Sequence, residues 1–120
     1  MIKRKSEIEA KVISNPSGGA GNITILNFLT EQEVRGAGRA FAKVVIEPGV
    51  CGVNHTHEGD MEAYYILKGR GIISEDGVET ALEEGDCHIC PDGHAHFMKN
   101  VGDEPLEFFA VILYTRQKDV

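Results

Sequence analysis

Hydrophobic residues in this chain are grouped in short runs that turn-forming residues separate. The runs are four to nine residues long and rich in β-branched or aromatic side chains, which is typical of strands. The predicted strands cover residues 23–29, 41–46, 63–67, 71–74, 87–90 and 106–114. The pattern therefore predicts an all-β fold.

The segments between the runs carry turn signals, such as the Asp-Gly pair at 76–77, at a spacing that indicates antiparallel hairpins. One segment, residues 30–35, has a helical pattern instead. Thr30 and Glu33 have the spacing of a capping box, and Gly36 can end the turn. We therefore expect one short helix at most.

The N-terminal part of the chain differs in composition from the rest. Residues 15–22 are rich in Gly, Ser and Asn, which is typical of a flexible loop. We therefore predict that residues 1–22 form an N-terminal arm, which is a candidate for packing on a partner subunit. Residues 23–120 are predicted to form one domain, because a chain of 120 residues and 13.1 kDa suits a single hydrophobic core.

The charge balance excludes some classes of partner. A formal net charge of -7 argues against nucleic acid and anionic membrane surfaces, because both require concentrated positive charge. The basic first residues are followed by no apolar segment, so no secretory signal is predicted, and no run has transmembrane length. Three cysteines, an odd number, indicate reduced thiols rather than a disulfide framework. A cytoplasmic location is expected.

Candidate chemistry begins with two histidines spaced by one residue. His55 and His57 would face the same side of an extended strand, so one short segment supplies two possible metal ligands. A polar, Gly-containing stretch then leads to Glu62, and His96 follows a Pro-Asp-Gly turn. These four side chains can converge on one ion if their strands are neighbours, which the spacing alone does not establish.

Two spaced segments resemble the motifs of the cupin family. The first consists of Gly49, five residues, His55, one residue, His57, four residues, Glu62, six residues and Gly69. The second consists of Gly85, five residues, Pro91, one residue, Gly93, two residues, His96, three residues and Asn100.

This resemblance spans residues 49–100 and implies a cupin jelly-roll β-barrel, also called a double-stranded β-helix, that is commonly a homodimer. It also implies a metal site of three histidines and one glutamate. Carried over by position, these are His55, His57, Glu62 and His96.

This ligand set suits a working metal site. Three neutral imidazoles and one carboxylate leave a bound divalent ion with a formal charge of +1 and, in an octahedron, two open positions. Such mixed nitrogen and oxygen ligands accept Mn, Fe, Co, Ni or Zn, so one divalent metal ion of open identity is predicted.

Further residues share strand parity with the predicted ligands and should also face the barrel interior. These candidate pocket residues are Tyr64, Ile66, Met98 and Asn100. Tyr64 is in addition a candidate catalytic residue, since its hydroxyl could donate a hydrogen bond or a proton to a metal-bound substrate. The alternative is that Tyr64 only packs.

The other histidines and the cysteines have no role in the motif. His88 and His94 are expected at the surface or behind the ligands. Cys87 and Cys90 are three residues apart and face opposite sides of a strand, so we interpret them as packing residues rather than as a shared metal site. Cys51 lies in the loop before the first ligand, where it is either a small apolar residue or a more accessible thiol.

The resemblance permits several functions. We favour a metalloenzyme that acts on a small polar or anionic molecule, with oxygenase-type oxidoreductase chemistry preferred. The alternatives are a noncatalytic small-ligand-binding or sensing protein, and a sugar isomerase, epimerase or decarboxylase. An isomerase acting on sugar phosphates would use cations at the pocket mouth, for which the candidates are Arg39, Lys43 and Lys99. A decarboxylase would use an additional acid or base, for which the candidates are Glu58 and Asp60.

Overall fold

The computed structural model describes residues 1–116, which fold into two antiparallel β-sheets. The ten strands in this range are β1 Glu9–Ser14, β2 Asn22–Asn27, β3 Gly38–Ile46, β4 His55–Thr56, β5 Asp60–Lys68, β6 Gly71–Glu75, β7 Val78–Leu82, β8 Cys87–Cys90, β9 Ala95–Asn100 and β10 Leu106–Tyr114. A short α-helix, α1, covers Glu31–Val34, and a 3-10 turn covers Lys5–Glu7. Within this range no helix is long and apolar enough to cross a membrane.

The two sheets differ in size. One has six strands in the order β1-β2-β3-β10-β5-β8, and the other has four in the order β4-β9-β6-β7. The core lies between them: Val44, Ile66 and Phe108 from the larger sheet form one buried cluster with Ile73 and Met98 from the smaller one. The predicted all-β jelly-roll barrel is therefore confirmed.

The structure confirms the bounds of two predicted strands and extends most of the others. The strands predicted at 87–90 and 106–114 have the bounds of β8 and β10. Four strands, β1, β4, β7 and β9, were not predicted. β1 and β7 are almost wholly exposed and carry polar residues, β4 has two residues, and β9 places polar residues at buried positions. Hydrophobic runs therefore could not reveal them.

The predicted short helix is also confirmed. The Thr30 hydroxyl accepts from the Glu33 N–H at 3.1 Å, and the Glu33 carboxylate accepts from the Thr30 N–H at 2.8 Å. These reciprocal bonds are the predicted capping box. The helix ends at Val34, and the C-cap residue Arg35 has a left-handed φ of 52°.

The N-terminal segment includes a strand. Residues 9–14 form β1, which pairs with β2 in the register Ser14 opposite Asn22 and Glu9 opposite Asn27. The following loop is tied to the body of the protein, because the Ser17 hydroxyl lies 2.8 Å from the Cys51 carbonyl oxygen. Packing of the N-terminal arm on a partner subunit stays a prediction.

Two glycines allow strand β10 to approach the turn between β5 and β6. A Cβ at Gly69, whose φ is +85°, would lie 2.8 Å from the Pro105 carbonyl oxygen. A Cβ at Gly71 would lie 2.7 Å from the Leu106 side chain and 2.8 Å from the Lys99 carbonyl oxygen. Larger residues would therefore displace backbone at this end of the barrel.

Candidate metal centre

The four predicted ligands come together between the sheets. His55 lies on β4 and pairs directly with His96 on β9, so the smaller sheet brings these two imidazoles side by side. His57 follows β4 immediately, and Glu62 extends from β5 in the larger sheet. The cluster therefore depends on both sheets. These sheets bring together residues that are up to 41 positions apart in the sequence.

The ligand atoms converge closely. The Glu62 Oε1 atom lies 3.3 Å from His55 Nε2, 3.1 Å from His57 Nε2 and 2.8 Å from His96 Nε2. The Nε2 atom of His96 also lies 3.1 Å from the Nε2 atoms of both His55 and His57. Adjacent ligands at right angles around an ion with bonds of about 2.1 Å would be separated by about 3.0 Å. The donor spacing therefore fits one metal ion.

The orientation of each imidazole is fixed by its other nitrogen. Nδ1 contacts the Val53 carbonyl oxygen at 2.9 Å in His55, Asp60 Oδ1 at 2.8 Å in His57 and His88 Nε2 at 3.0 Å in His96. When Nδ1–H donates these bonds, the Nε2 lone pairs face one another and the Glu62 carboxylate. Such an arrangement is repulsive by itself and becomes favourable around a cation, so the donor chemistry also fits a divalent metal.

The carboxylate of the cluster is ionised. Burial alone raises the pKa of Glu62, but the interactions of its carboxylate with His55, His96 and Tyr64 outweigh burial and lower that pKa to about 2. Conversely, the Glu62 carboxylate raises the pKa of His55 above its ordinary value, because it stabilises the protonated ring. Glu62 therefore supplies a formal charge of -1 to the site.

A second layer of polar residues holds the ligands. Asp60, which is 5% exposed, accepts from His57 through Oδ1 and from Arg39 Nε at 2.8 Å through Oδ2. Burial raises the pKa of Asp60, but the bonds from Arg39 and His57 outweigh it, and the pKa lies below its ordinary value. Asp60 is therefore an anion that orients His57.

His88 has the corresponding position behind His96. It is buried on β8, and its Nδ1 atom lies 3.8 Å from Glu75 Oε1. Burial and the neighbouring His96 lower the pKa of His88, which favours the neutral ring that accepts from His96 Nδ1–H. Of the two predicted positions of His88, at the surface or behind the clustered residues, the structure shows the second.

Tyr64 contacts the cluster from within the barrel. Its ring stacks on His96 with centroids 5.0 Å apart and an angle of 12° between the planes. Burial, together with the charge of Glu62, raises the pKa of Tyr64 well above its ordinary value. The hydroxyl is therefore neutral, and Tyr64 and Glu62 both line the adjoining cavity.

A cavity of about 300 Å³ adjoins the cluster. His55, Glu62 and Tyr64 line one part of it. Most of its remaining lining is apolar and comes from β2, β3, β9 and β10, including Ile25, Val44, Ile46, Met98 and Phe108. Among the described residues, no lysine or arginine contributes to this lining. The cavity is thus apolar apart from the side that carries the cluster.

Two of the four predicted pocket residues line the cavity, and the other two lie outside its lining. Tyr64 and Met98 line the cavity. Ile66 is 1% exposed and belongs to the core, whereas Asn100 is buried and bonded to backbone: its amide donates to the Ile46 and Glu104 carbonyls at 2.9 and 2.8 Å. The residues that line the cavity include neither Ile66 nor Asn100.

The cations that were considered for a phosphate-binding mouth lie elsewhere. Arg39 bonds to Asp60, Lys43 forms an ion pair with Glu107 at 2.7 Å, and Lys99 contacts Glu79. Of the two acids considered for a decarboxylase, Glu58 is exposed and outside the cavity lining. The other, Asp60, is engaged with His57 and Arg39.

His94 and the cysteines lie outside the cluster. The Nδ1 atom of His94 is 2.5 Å from Asp76 Oδ2, on an exposed part of the surface. Cys90 is fully buried and Cys87 is exposed, so the packing interpretation applies to Cys90 only. Cys51 is half-buried, and its backbone bridges to Lys99.

The family model described as Cupin domain matches residues 42–112. An oxalate-binding protein from Thermotoga maritima is 36% identical over 113 residues, which cover 94% of this chain and 93% of that protein. The crystal structure of a predicted oxalate decarboxylase from Thermotoga maritima superposes with a TM-score of 0.87 at 36% identity, covering 95% of this chain and 99% of that one.

A larger relative matches in part. The oxalate decarboxylase of Bacillus subtilis is 30% identical over 86 residues, which cover 68% of this chain but 22% of the relative. The matched family model spans both sheets and all four residues of the His/Glu cluster. The chain therefore belongs to the cupin family.

Proposed function

We propose that this protein binds one divalent metal ion through His55, His57, Glu62 and His96 and uses the ion to hold a small carboxylate anion. Oxalate is the first anion to test, because the Thermotoga maritima relative that matches 94% of the chain is described as an oxalate-binding protein. The bound metal would supply positive charge and coordination positions that carboxylate oxygens can occupy.

The composition of the cavity carries this proposal. The lining side chains that ionise are His55, Glu62 and Tyr64, within the part of the chain that the structure describes. With no lysine or arginine there, an anion gains favourable charge interactions from the metal alone. An anion buried among apolar side chains without such a partner would be strongly disfavoured. Anion binding is therefore expected to require the metal.

The same composition supports binding without turnover. Catalysis of proton transfer needs a group within reach that gains or loses a proton near working pH. Burial and the charge of Glu62 raise the pKa of Tyr64 and keep its hydroxyl neutral, and Asp60 is occupied by His57 and Arg39. The surroundings of the site therefore favour the noncatalytic alternative over a decarboxylase or an isomerase.

Calorimetric titration of oxalate tests the proposal. The protein is stripped with a chelator and reloaded separately with Mn, Co, Ni and Zn under air, and with Fe(II) under anaerobic conditions. We expect one oxalate per chain on at least one metal-loaded form and no measurable binding to the metal-free form. Equal binding with and without metal would contradict the role of the ion, and absence of binding to every metal form would refute carboxylate binding.

Turnover is measured on the same samples. Oxygen consumption and release of carbon dioxide or formate are followed with oxalate present, with and without dioxygen. We expect no product above that of the His57→Ala variant. Metal-dependent product formation would replace the binding proposal by an oxidase, oxygenase or decarboxylase activity.

A further inference from the structure

The cavity beside the cluster is larger and more apolar than oxalate requires. At about 30 Å³ per water-sized group, a volume of about 300 Å³ holds roughly ten such groups. Oxalate has six non-hydrogen atoms, and four of them are oxygens that favour the metal or water. A ligand that fills the cavity would therefore have additional atoms, and these would be carbon.

The apolar space extends along the strands, away from the ligands. Strand pairing places Phe108 opposite Ile66, four residues along β5 from Glu62. The Phe108 ring packs on the Tyr64 ring with centroids 4.6 Å apart, and the Tyr64 ring in turn stacks on His96. Val44 pairs with Phe108, and both line the cavity, so the apolar lining continues from Tyr64 to Phe108 and Val44. It is deep enough for a short hydrocarbon chain that continues from a metal-bound head group.

The charge pattern of the cavity restricts which groups the hydrocarbon chain of a ligand can carry. The deeper lining consists of aliphatic and aromatic side chains, including Ile23, Ile46 and Phe108. A second carboxylate there would lose its hydration without gaining a cation, which is strongly unfavourable. An uncharged branched chain would instead bury apolar surface, which is favourable.

We infer that the preferred ligand is a 2-oxo monocarboxylate with a short branched apolar chain, whose carboxylate and oxo oxygens meet the metal while the chain occupies the apolar space. This inference rests on the proposed function, because the head group needs the metal site. The compound 4-methyl-2-oxopentanoate, with nine non-hydrogen atoms, has the required size and polarity.

A homologous series of 2-oxo acids tests the inference on the metal-loaded protein. Pyruvate, 2-oxobutanoate, 3-methyl-2-oxobutanoate and 4-methyl-2-oxopentanoate share one head group and differ in apolar carbons. Each fully buried carbon is expected to tighten binding by about fourfold, so the longest compound should bind about 60-fold more tightly than pyruvate. The compound 2-oxoglutarate, similar in size but charged at its far end, should bind more weakly than pyruvate.

Variants of cavity residues test whether the hydrocarbon chain of the ligand lies in the cavity. Val44→Phe fills the apolar space and should reduce the 60-fold preference to less than threefold. Val45→Phe is the matched control, because Val45 is the next residue on β3 and is absent from the cavity lining. If Val44→Phe does not fold, as judged by thermal unfolding, Ile25→Trp replaces it, since Ile25 is less buried and also lines the cavity.

The outcomes separate the two proposals. Equal affinity across the series, or tighter binding of 2-oxoglutarate, with oxalate and pyruvate still bound through the metal, overturns the inference and leaves the proposed function standing. Failure of oxalate and every 2-oxo acid to bind any metal-loaded form overturns both. A preference for the branched chain that Val44→Phe abolishes and Val45→Phe retains supports the inference.

Discussion

Replacing Asp60 by Asn tests how the chain supports its metal ligands without removing any of them. Asp60 accepts from His57 Nδ1 and Arg39 Nε, each at 2.8 Å, and is 5% exposed. The Asn side chain has one carbonyl oxygen, so it can serve as an acceptor for one of these donors and presents an amide N–H₂ to the other. It also removes the negative charge that makes His57 a better electron donor to the metal.

The expected magnitude follows from this geometry. Loss of a hydrogen-bond partner behind a metal-bound histidine typically costs about 10- to 100-fold in metal affinity, or roughly 1.4 to 2.7 kcal/mol. Arg39→Gln should cost less, about 1 kcal/mol at most, because the Arg39 side chain is 43% exposed and leaves the bond between Asp60 and His57 in place. Asp60→Asn should therefore weaken metal binding more than Arg39→Gln does.

Competition with a chromophoric chelator at fixed pH measures these affinities with Zn and Co. Asp103→Asn is the matched control, since Asp103 is an exposed carboxylate in the loop before β10. Circular dichroism and thermal unfolding establish that each variant is folded. A folded Asp60→Asn protein that binds metal within threefold of the unmodified protein, or no more weakly than Asp103→Asn, would refute the reasoning.

The remaining predictions concern stoichiometry, stability and assembly. His96→Ala should reduce the metal content from about one ion per chain to near zero by elemental analysis, and unchanged content would contradict the ligand assignment. A metal ion at 100 times its Kd should stabilise the fold by about 2.7 kcal/mol in urea unfolding, and an unchanged midpoint would contradict binding to the native state. Phe108→Ala should destabilise the metal-free protein by about 3 to 5 kcal/mol, whereas the exposed Val78→Ala should change stability by less than about 0.5 kcal/mol; equal losses would contradict the placement of the core. Native mass should show a homodimer, and Phe109→Glu on the outer face of the larger sheet should shift it to the monomer. A monomeric unmodified protein would refute the dimer.

The four residues of the cluster could be predicted because their chemistry is local and their spacing is specific. Two histidines separated by one residue share a strand face whatever the register of the sheet. In contrast, the contact between His55 and His96 depends on the pairing of β4 with β9. Both strands carry polar residues at their functional positions, so no apolar run indicated them. The family motif supplied the long-range information that hydrophobic periodicity could not.

Hydrophobic patterning could not decide between the two predicted positions of His88, because β8 inverts the usual pattern of burial. On β8 the hydrophobic pattern suggests that Ile89 is buried, yet Ile89 is 53% exposed and its neighbour His88 is 9% exposed. His88 is opposite Tyr64 in the sheet, on the inner face, where His96 provides the hydrogen bond that a buried imidazole needs. An apolar residue at position 88 would leave His96 Nδ1–H without this acceptor. The hydrogen bond to His96 therefore explains why a histidine is buried at this position of the strand. The consequence is that Ile89 lies on the outer face of the larger sheet, where exposed Tyr65 and Phe109 also lie, and Phe109→Glu tests whether the predicted dimer uses this surface.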